Sequence, residues 1–287
     1  MNRMFFVIGN PRSGTTLLRL MLNNHPEVTV PPECGFAMWL HEIYVNTDFS
    51  DMTSIDDFLE KLSTVKKIET WKINLAELKT FLIKNQPKNY QEIVPLIYRH
   101  YANSINNHPK WLGDKNNFYI SYIETIKKLL PDSKQIYIVR DGRDVACSYK
   151  DLASKKYDSI YAPNLPSEIK EIATEWLNNN RLIKHEVDNG ALLIRYEDLL
   201  HSPEVELNKV CEVLGLTYSS QLLNYHINNR IQEQEPKEFL QWKSKTLSPP
   251  DQGNIGKYRN ILTKEEIQTF ECIAGELLEE FGYSRVA

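Results

Sequence analysis

A glycine-containing segment near the start of the chain has the spacing of a phosphate-binding loop. Gly9 and Gly14 are separated by four residues, and Thr15 and Thr16 follow the second glycine. In loops of this kind, backbone N–H groups bind an oxyanion at the start of a helix. The same spacing also occurs in ordinary turns between a strand and a helix, so the surrounding elements must decide between the two interpretations.

One position in this loop differs from the loop of nucleoside triphosphatases. Thr15 stands where those enzymes place the lysine that reaches the β- and γ-phosphates. The single basic residue inside the segment is Arg12. The loop therefore favours an anion that needs no metal ion between two phosphates, and it argues against a kinase or an ATPase.

A second candidate anion site follows another apolar run. Arg140 is predicted at the carboxyl end of a strand, and Asp141 is a suitable cap for the next helix. Ser148 lies seven residues after Asp141, which is two helical turns, and therefore shares its face. An arginine and a serine in these positions can bind one phosphate-like group together. Alternatively, the charged residues at 140, 141, 143 and 144 form surface ion pairs and Ser148 has no binding role.

Buried strands are predicted before both candidate sites. Met4–Ile8 and Gln135–Val139 are short apolar runs rich in aromatic and β-branched residues, and Ala191–Ile194 is a third. Apolar residues at helical spacing predict helices after Gly14 and at about 55–62, 75–83, 93–105, 123–130, 203–214 and 264–281. Strands that alternate with helices indicate a parallel sheet, whose ligands bind at the carboxyl ends of the strands.

Three segments in this order resemble the sulfotransferases that use 3′-phosphoadenosine 5′-phosphosulfate (PAPS). They are PRSGTTLL at 11–18, IVRDGRDVACS at 138–148 and IRYEDLL at 194–200. The resemblance is strongest at residues 4–36, 111–150, 191–204 and 252–270. It implies an α/β fold with a central parallel sheet flanked by helices and a P-loop-like nucleotide site. It also implies a single domain over residues 1–287, with a helical insertion at about 37–110 on the acceptor side.

The resemblance implies binding roles for the residues of the first two motifs. Arg140 and Ser148 match the pair that holds the 3′-phosphate, in agreement with the interpretation of those residues from their spacing. The loop residues match the segment that binds the 5′-phosphosulfate; they are Arg12, Ser13, Gly14, Thr15 and Thr16.

Two later segments complete the implied cofactor site. Tyr196 resembles a residue that contacts the cofactor near its adenosine, and Gly256 and Lys257 belong to a loop that closes over the 3′-phosphate. Many relatives carry tryptophan where this chain has Tyr258. We expect Lys257 to make the ionic contact, with Arg259 as the alternative.

The catalytic group distinguishes two branches of the family. The cytosolic branch has a histidine soon after its central lysine, but the segment 111–119, which contains Lys115, has none. Glu33 follows two prolines, 21 residues after Arg12, and resembles the base of the branch that includes tyrosylprotein sulfotransferases and many bacterial enzymes. The resemblance thus implies that Glu33 is the general base and that Arg12 and Lys115 stabilise the leaving phosphate.

Composition restricts the other classes of function. There are 34 basic and 38 acidic residues, and this balance argues against non-specific binding to nucleic acid. No apolar run approaches the roughly 20 residues of a membrane span, and the first residues lack the pattern of a signal peptide. The four cysteines are far apart and form no CxxC pair, which argues against metal and redox sites. We therefore expect a cytoplasmic protein without a metal ion.

The expected reaction is transfer of a sulfuryl group from PAPS to a hydroxyl of a small-molecule or carbohydrate acceptor, which leaves adenosine 3′,5′-bisphosphate (PAP). The alternatives are a sulfotransferase that acts on tyrosine or peptides, a P-loop-type kinase for small molecules, and a non-catalytic nucleotide binder. The sequence leaves the identity of the acceptor and the oligomeric state open.

Overall fold

Five parallel strands form one sheet at the centre of the fold. A computed structural model describes residues 3–286. The strand order is β2-β3-β1-β4-β5, so β1 lies in the middle of the sheet. The strands are β1 (Arg3–Gly9), β2 (Val28–Thr29), β3 (Trp111–Lys115), β4 (Lys134–Val139) and β5 (Leu192–Arg195).

Helices surround the sheet and make up most of the remaining chain. They are α1 (Thr15–Leu22), α2 (Phe36–Trp39), α3 (His41–Tyr44), α4 (Met52–Ser63), α5 (Leu75–Asn85), α6 (Tyr90–Ser104), α7 (Ile123–Leu129), α8 (Gly142–Ala153), α9 (Ile169–Asp188), α10 (Tyr196–His201), α11 (Pro203–Leu214), α12 (Tyr225–Gln232), α13 (Leu240–Lys243), α14 (Tyr258–Ile261) and α15 (Lys264–Glu280). Within residues 3–286, no helix combines the length and the apolar composition needed to cross a bilayer.

Alternating side chains of the central strands divide between two apolar cores. Phe6 and Tyr137 face one side of the sheet, where they pack in a core shared with α2–α9 and α15. Phe5 and Ile136 face the other side, where the core is shared with α1 and α11. Side chains of successive strand residues point to opposite faces, which explains why runs buried on both faces are apolar throughout. The predicted parallel sheet flanked by helices is confirmed.

The three predicted strands are present, within one or two residues of their predicted ends. Two further strands, β2 and β3, were not predicted, and neither was the long helix α9. β3 has the sequence WLGDK, which contains a glycine and two charged residues, yet all five residues are buried. Because β3 pairs with both β1 and β2, its neighbours in the sheet determine its conformation.

The carboxyl ends of the strands gather the sequence motifs at one edge of the sheet. β1 leads into the loop that contains Arg12, β3 ends at Lys115, β4 is followed by Arg140, and β5 by Tyr196. Four residues after β2 comes Glu33. In parallel sheets this edge is where ligands bind.

Candidate active site

The glycine-containing loop has the backbone geometry of an anion-binding turn. Gly14 adopts a left-handed conformation, with φ of 94°, and α1 begins directly after it. A β-carbon at this position would lie 2.4 Å from Cδ2 of Tyr196. The first N–H groups of α1 have no partner within the helix and point from its amino end toward the edge of the sheet. The hydroxyl of Thr15 donates a hydrogen bond to Oδ1 of Asn117 at 2.8 Å.

Arg12 and Ser148 are in direct contact. Nε of Arg12 donates a hydrogen bond to Oγ of Ser148 at 3.0 Å. Nη1 of Arg140 donates to the backbone carbonyl oxygen of Arg12 at 3.2 Å. Burial, and secondly the charge of Arg140, lower the pKa of Arg12. Two adjacent cations at a serine hydroxyl form a site suited to an oxyanion.

Arg140 is held by the late part of the chain and by Tyr196. Its Nη2 donates to the carbonyl oxygen of Asn254 at 2.7 Å, and its guanidinium lies 4.5 Å from the centre of the Tyr196 ring. The alternative of surface ion pairs in this motif is not what the structure shows. Arg143 is buried and binds Asp141 at 2.7 Å and Glu271 at 2.5 Å, so its ion pairs belong to the interior.

Glu33 contacts two lysines. Its Oε2 accepts a hydrogen bond from Nζ of Lys115, and its Oε1 accepts one from Nζ of Lys67. The Lys115 side chain is only 1% exposed and that of Glu33 14%. Lys67 adopts a left-handed backbone conformation, with φ of 76°, which is uncommon for a residue with a side chain. The three side chains form one cluster at the edge of the sheet.

Burial and ion pairing act against each other in this cluster. Burial acts to raise the pKa of Glu33, but the charges of Lys115, Lys243 and Lys67 hold it well below its ordinary value. Burial lowers the pKa of Lys115 to about 8, although Glu33 opposes this effect. Glu33 is therefore ionised at neutral pH, and Lys115 is a cation that loses its charge in mildly alkaline solution.

A carboxylate of α8 fixes the late segment that contains Lys257. The two carboxylate oxygens of Asp144 accept hydrogen bonds from the backbone N–H groups of Gly256 at 2.7 Å and Tyr258 at 3.0 Å. The guanidinium of Arg259 lies over the Tyr258 ring, 4.8 Å from its centre. Burial, and secondly the charge of Arg140, lower the pKa of Lys257 to about 8.

A single cavity of about 450 Å³ brings most of the predicted residues together. Ser13 and Gly256 are not on its wall; Ser13 is buried, and Gly256 forms the turn before Lys257. Arg259 is not on the wall either, whereas Lys257 is. The predicted residues that line the cavity are Arg12, Gly14, Thr15, Thr16, Glu33, Lys115, Arg140, Ser148, Tyr196 and Lys257.

Several polar residues of the wall were missed by the sequence analysis, including three lysines and an asparagine. Lys67, Asn117, Lys243 and Lys245 line the same cavity. Lys67, Lys243 and Lys245 lie outside every recognised motif, and nothing in their local sequence sets them apart from surface lysines. Asn117 comes two residues after Lys115, and its proximity to that residue was the one available signal.

Several buried polar atoms have no partner in the part of the chain that the structure describes, and two of them belong to the glycine-containing loop and the motif at Arg140. These two are Oγ of Ser13 and Nε of Arg140. Buried polar atoms in proteins are nearly always hydrogen-bonded, so unpaired ones require an explanation. A phosphate group between the loop and Arg140 would provide the acceptor oxygen that Nε lacks. The residues present therefore fit a phosphorylated ligand.

Comparisons with known proteins identify the family of this chain. A family model described as the sulfotransferase family matches residues 5–220. Protein-tyrosine sulfotransferase A of Caenorhabditis elegans is 27% identical over 229 residues, which cover 77% of this chain and 52% of that protein. The nodulation protein NoeE of Sinorhizobium fredii is 23% identical over 299 residues, with 98% and 66% covered. The chain thus spans about half to two thirds of these relatives.

Solved structures show the same fold. The sulfotransferase domain of the Synechococcus PCC 7002 olefin synthase superposes with a TM-score of 0.60, at 23% identity and with 95% of each chain covered. A mouse sulfotransferase complexed with PAP superposes with a TM-score of 0.51, at 17% identity, with 96% of this chain and 85% of that chain covered. The family match extends over the strands, the phosphate-binding loop and the motif at Arg140. The chain therefore belongs to the sulfotransferase family of transferases.

Proposed function

We propose that the protein transfers a sulfuryl group from PAPS to a hydroxyl group of a small-molecule or carbohydrate acceptor. The observation that supports this most directly is the contact of Glu33 with Lys115 at the wall of the cavity that also contains Arg12 and Arg140. A carboxylate and a set of cations are the two components that such a transfer requires.

The cofactor-binding residues follow from the same cavity. The N–H groups of Gly14, Thr15 and Thr16, together with Arg12, would hold the 5′-phosphosulfate. The 3′-phosphate would be held by Arg140, Ser148 and Lys257, and Tyr196 would contact the adenosine. Ser13 and Gly256 would not contact the cofactor with their side chains; they would maintain the backbone conformation of the two loops that bind it. The mouse sulfotransferase complexed with PAP supports the choice of nucleotide.

The chemistry divides between the carboxylate and the cations. When bound, PAPS supplies the sulfuryl group and leaves as PAP. Glu33, ionised at neutral pH, accepts the proton of the acceptor hydroxyl. Lys115 and Arg12 stabilise the negative charge that develops on the leaving phosphate oxygen, by the electrostatic logic that also governs phosphoryl transfer. No residue in this scheme requires a metal ion.

The helical segment between β2 and β3 would cover the acceptor side. Lys67 belongs to this segment and lies on the cavity wall next to Glu33. We propose that residues 37–110 are an insertion within one sulfotransferase domain, and that they limit which acceptors reach the carboxylate.

A second candidate acceptor is a tyrosine in a peptide. The relatives named protein-tyrosine sulfotransferases favour it. The position of Glu33 after two prolines, which resembles that of the base of that branch, supports the same alternative. Glu33 would accept a proton from the hydroxyl of a phenol or of an alcohol. Selection between these acceptors would therefore depend on the residues that surround the acceptor and not on the base. A small-molecule kinase is less favoured because Thr15 replaces the lysine of its loop.

Calorimetric titration with three nucleotides tests the proposal. We expect PAP to bind with micromolar affinity, adenosine 5′-monophosphate at least 10-fold more weakly, and ATP with Mg²⁺ no better than the monophosphate. Arg140→Ala should weaken PAP binding by about 10-fold or more, because a charge-assisted contact with phosphate is removed. Preference for ATP with Mg²⁺ would favour the kinase, and no binding of any nucleotide would contradict the assignment of the cofactor.

A further inference from the structure

Two lysines on the acceptor side are not used by the proposed cofactor site. Nζ of Lys67 contacts Oε1 of Glu33, and Nζ of Lys243 lies 2.6 Å from Oε1 of Glu235. Both lysines line the cavity, with side chains 17% and 11% exposed. Ammonium groups kept so far from solvent need compensation by opposite charge.

Both ammonium groups flank the same aromatic ring. Nζ of Lys67 lies 5.4 Å from the centre of the Phe239 ring, and Nζ of Lys243 lies 4.9 Å from it. Phe239 is packed against Tyr161, at 5.5 Å between ring centres, and against Trp242, at 5.9 Å. The acceptor side thus has an aromatic wall centred on Phe239, with the ammonium groups of Lys67 and Lys243 next to it.

Cations outnumber the carboxylates with which they form ion pairs on the acceptor side. Glu33 faces Lys115 and Lys67, while Glu235 faces Lys243 and also Arg19, at 2.6 Å. Four cations therefore share two carboxylates. If Lys115 is assigned to the leaving phosphate, three cations still face two carboxylates. When Glu33 takes up a proton, one carboxylate remains for three cations.

The phosphates of the cofactor belong to a separate group of cations. Arg140 binds the carbonyl oxygen of Asn254, and Lys245 contacts Oδ1 of the same residue. Lys257 is close enough to Arg140 and Lys245 for their charges to lower its pKa. Together with Arg12, this group supplies four cations for the two phosphate positions, without Lys67 or Lys243.

From these charges we propose that the acceptor is a hydroxylated carboxylic acid. Its carboxylate lies between Lys67 and Lys243, its body rests on Phe239, and its hydroxyl reaches Glu33. The acid supplies the negative charge that Lys67 loses when Glu33 becomes neutral, and Lys243 binds it while remaining paired with Glu235. This inference rests on the proposed function, because it assigns the acceptor of the same site.

Binding of acids and their neutral amides to the PAP-saturated protein tests the inference. The matched pairs are 4-hydroxyphenylacetate and its amide, glucuronate and glucuronamide, and 6-hydroxyhexanoate and its amide. Calorimetry should show at least one acid that binds about 10-fold or more tightly than its amide, as two buried ammonium groups would require. That preference should fall below about 3-fold in the double variant Lys67→Met, Lys243→Met.

Control variants separate the possible results. Lys66→Met changes the neighbouring lysine, which lies over the Tyr161 ring and is not on the cavity wall, and it should retain the preference. If the double variant does not fold, Lys67→Gln and Lys243→Gln are tested singly, and each should reduce the preference. PAP affinity within about 2-fold of the wild type shows that the cofactor site is intact.

Two results would overturn the inference and leave the proposed function in place. The first is PAP binding with no acid bound better than its amide, including the case in which neither binds. The second is a preference that disappears in Lys115→Met but persists in Lys67→Met, which would place the acid in the sulfuryl position. Failure of the wild type to bind PAP would instead contradict the proposed function itself.

Discussion

Lys115 donates a hydrogen bond from Nζ to Oε2 of Glu33, and the two residues are 82 positions apart in the chain. One ends β3 and the other follows β2, so the pairing of these two strands brings them together. The proposed base and the proposed leaving-group cation thus neutralise each other before any ligand binds. Because breaking a buried ion pair is costly, a new anion has to replace Glu33 at Lys115 before Glu33 can act as a base.

Replacement of Glu33 by glutamine tests the assignment of the base. Glu33→Gln keeps the size of the side chain but cannot accept a proton. We therefore expect the rate at which PAPS and an acceptor are converted to PAP and the sulfated product to fall by about 100-fold or more. PAP affinity should remain within about 3-fold of the wild type. The matched control is Glu27→Gln, because Glu27 pairs with Lys110 in a partly exposed ion pair. A variant at position 33 that is as active as this control would refute the assignment.

Affinity for PAP should decrease in alkaline solution. Lys257 and Lys115 both have a pKa lowered to about 8, so each is charged below that pH and neutral above it. A phosphate group then loses its cationic partners as the pH rises from 7 to 9.5. In Lys257→Arg the charge at that position persists over this range, so the decrease measured by calorimetry should be smaller. Lys150→Arg, whose lysine pairs with Glu266, is the control and should follow the wild type.

Asp114 should make stability depend on pH. Its carboxylate accepts hydrogen bonds from the hydroxyls of Tyr98 and Tyr119, and burial raises its pKa to about 6. The folded protein therefore binds the proton more tightly than the unfolded chain. This contribution to the free energy of unfolding is present below about pH 4 and is lost as the pH rises through 6.

Urea unfolding of Asp114→Asn at pH 4.5 and 7.5 measures this contribution. The free energy of unfolding of the wild type should fall by about 2 kcal/mol relative to that of the variant between pH 4.5 and pH 7.5. The exposed residue Asp132 provides the control, since Asp132→Asn should show no such difference. An Asp114 variant that keeps the pH dependence of the wild type would be evidence against a raised pKa.

Gly14 should be intolerant of a side chain. Gly14→Ala combines a left-handed backbone with a β-carbon 2.4 Å from Tyr196, so we expect a loss of about 2–4 kcal/mol in the free energy of unfolding, together with weaker PAP binding. At Gly215, φ is 62° and no atom lies within 4 Å of the added carbon. Gly215→Ala should therefore cost only about 1 kcal/mol, from the backbone alone. Equal losses in the two variants would show that Tyr196 moves aside freely.

Motif residues were predictable because local sequence determines their placement. A strand, a loop and a helix follow one another at Gly9–Thr16 and again at Val139–Ser148, and a parallel sheet must bring both loops to one edge. The contact partner of Ser148 was not predicted. The sequence indicated that Ser148 and Arg140 bind one anion together, and it gave no sign of the hydrogen bond that joins Ser148 to Arg12, 136 residues away.

The remaining wall of the cavity depends on tertiary packing. Lys67 reaches Glu33 because a turn with positive φ interrupts the helices between β2 and β3. Lys243 is aligned by Glu235, which Arg19 binds from the opposite side. No periodicity or motif spacing in the sequence predicts either contact, because each contact joins segments that are distant in the chain and meet only in the folded protein.

Asp144 orders part of the proposed cofactor site. Its two hydrogen bonds to the backbone at Gly256 and Tyr258 order the segment between them before any ligand is present. The conformational entropy of that segment is therefore lost during folding and not during association. In the proposed function, Lys257 and Arg140 would therefore meet the 3′-phosphate as two parts of one preorganised surface, and Lys257 would need no ordering of its own backbone on binding.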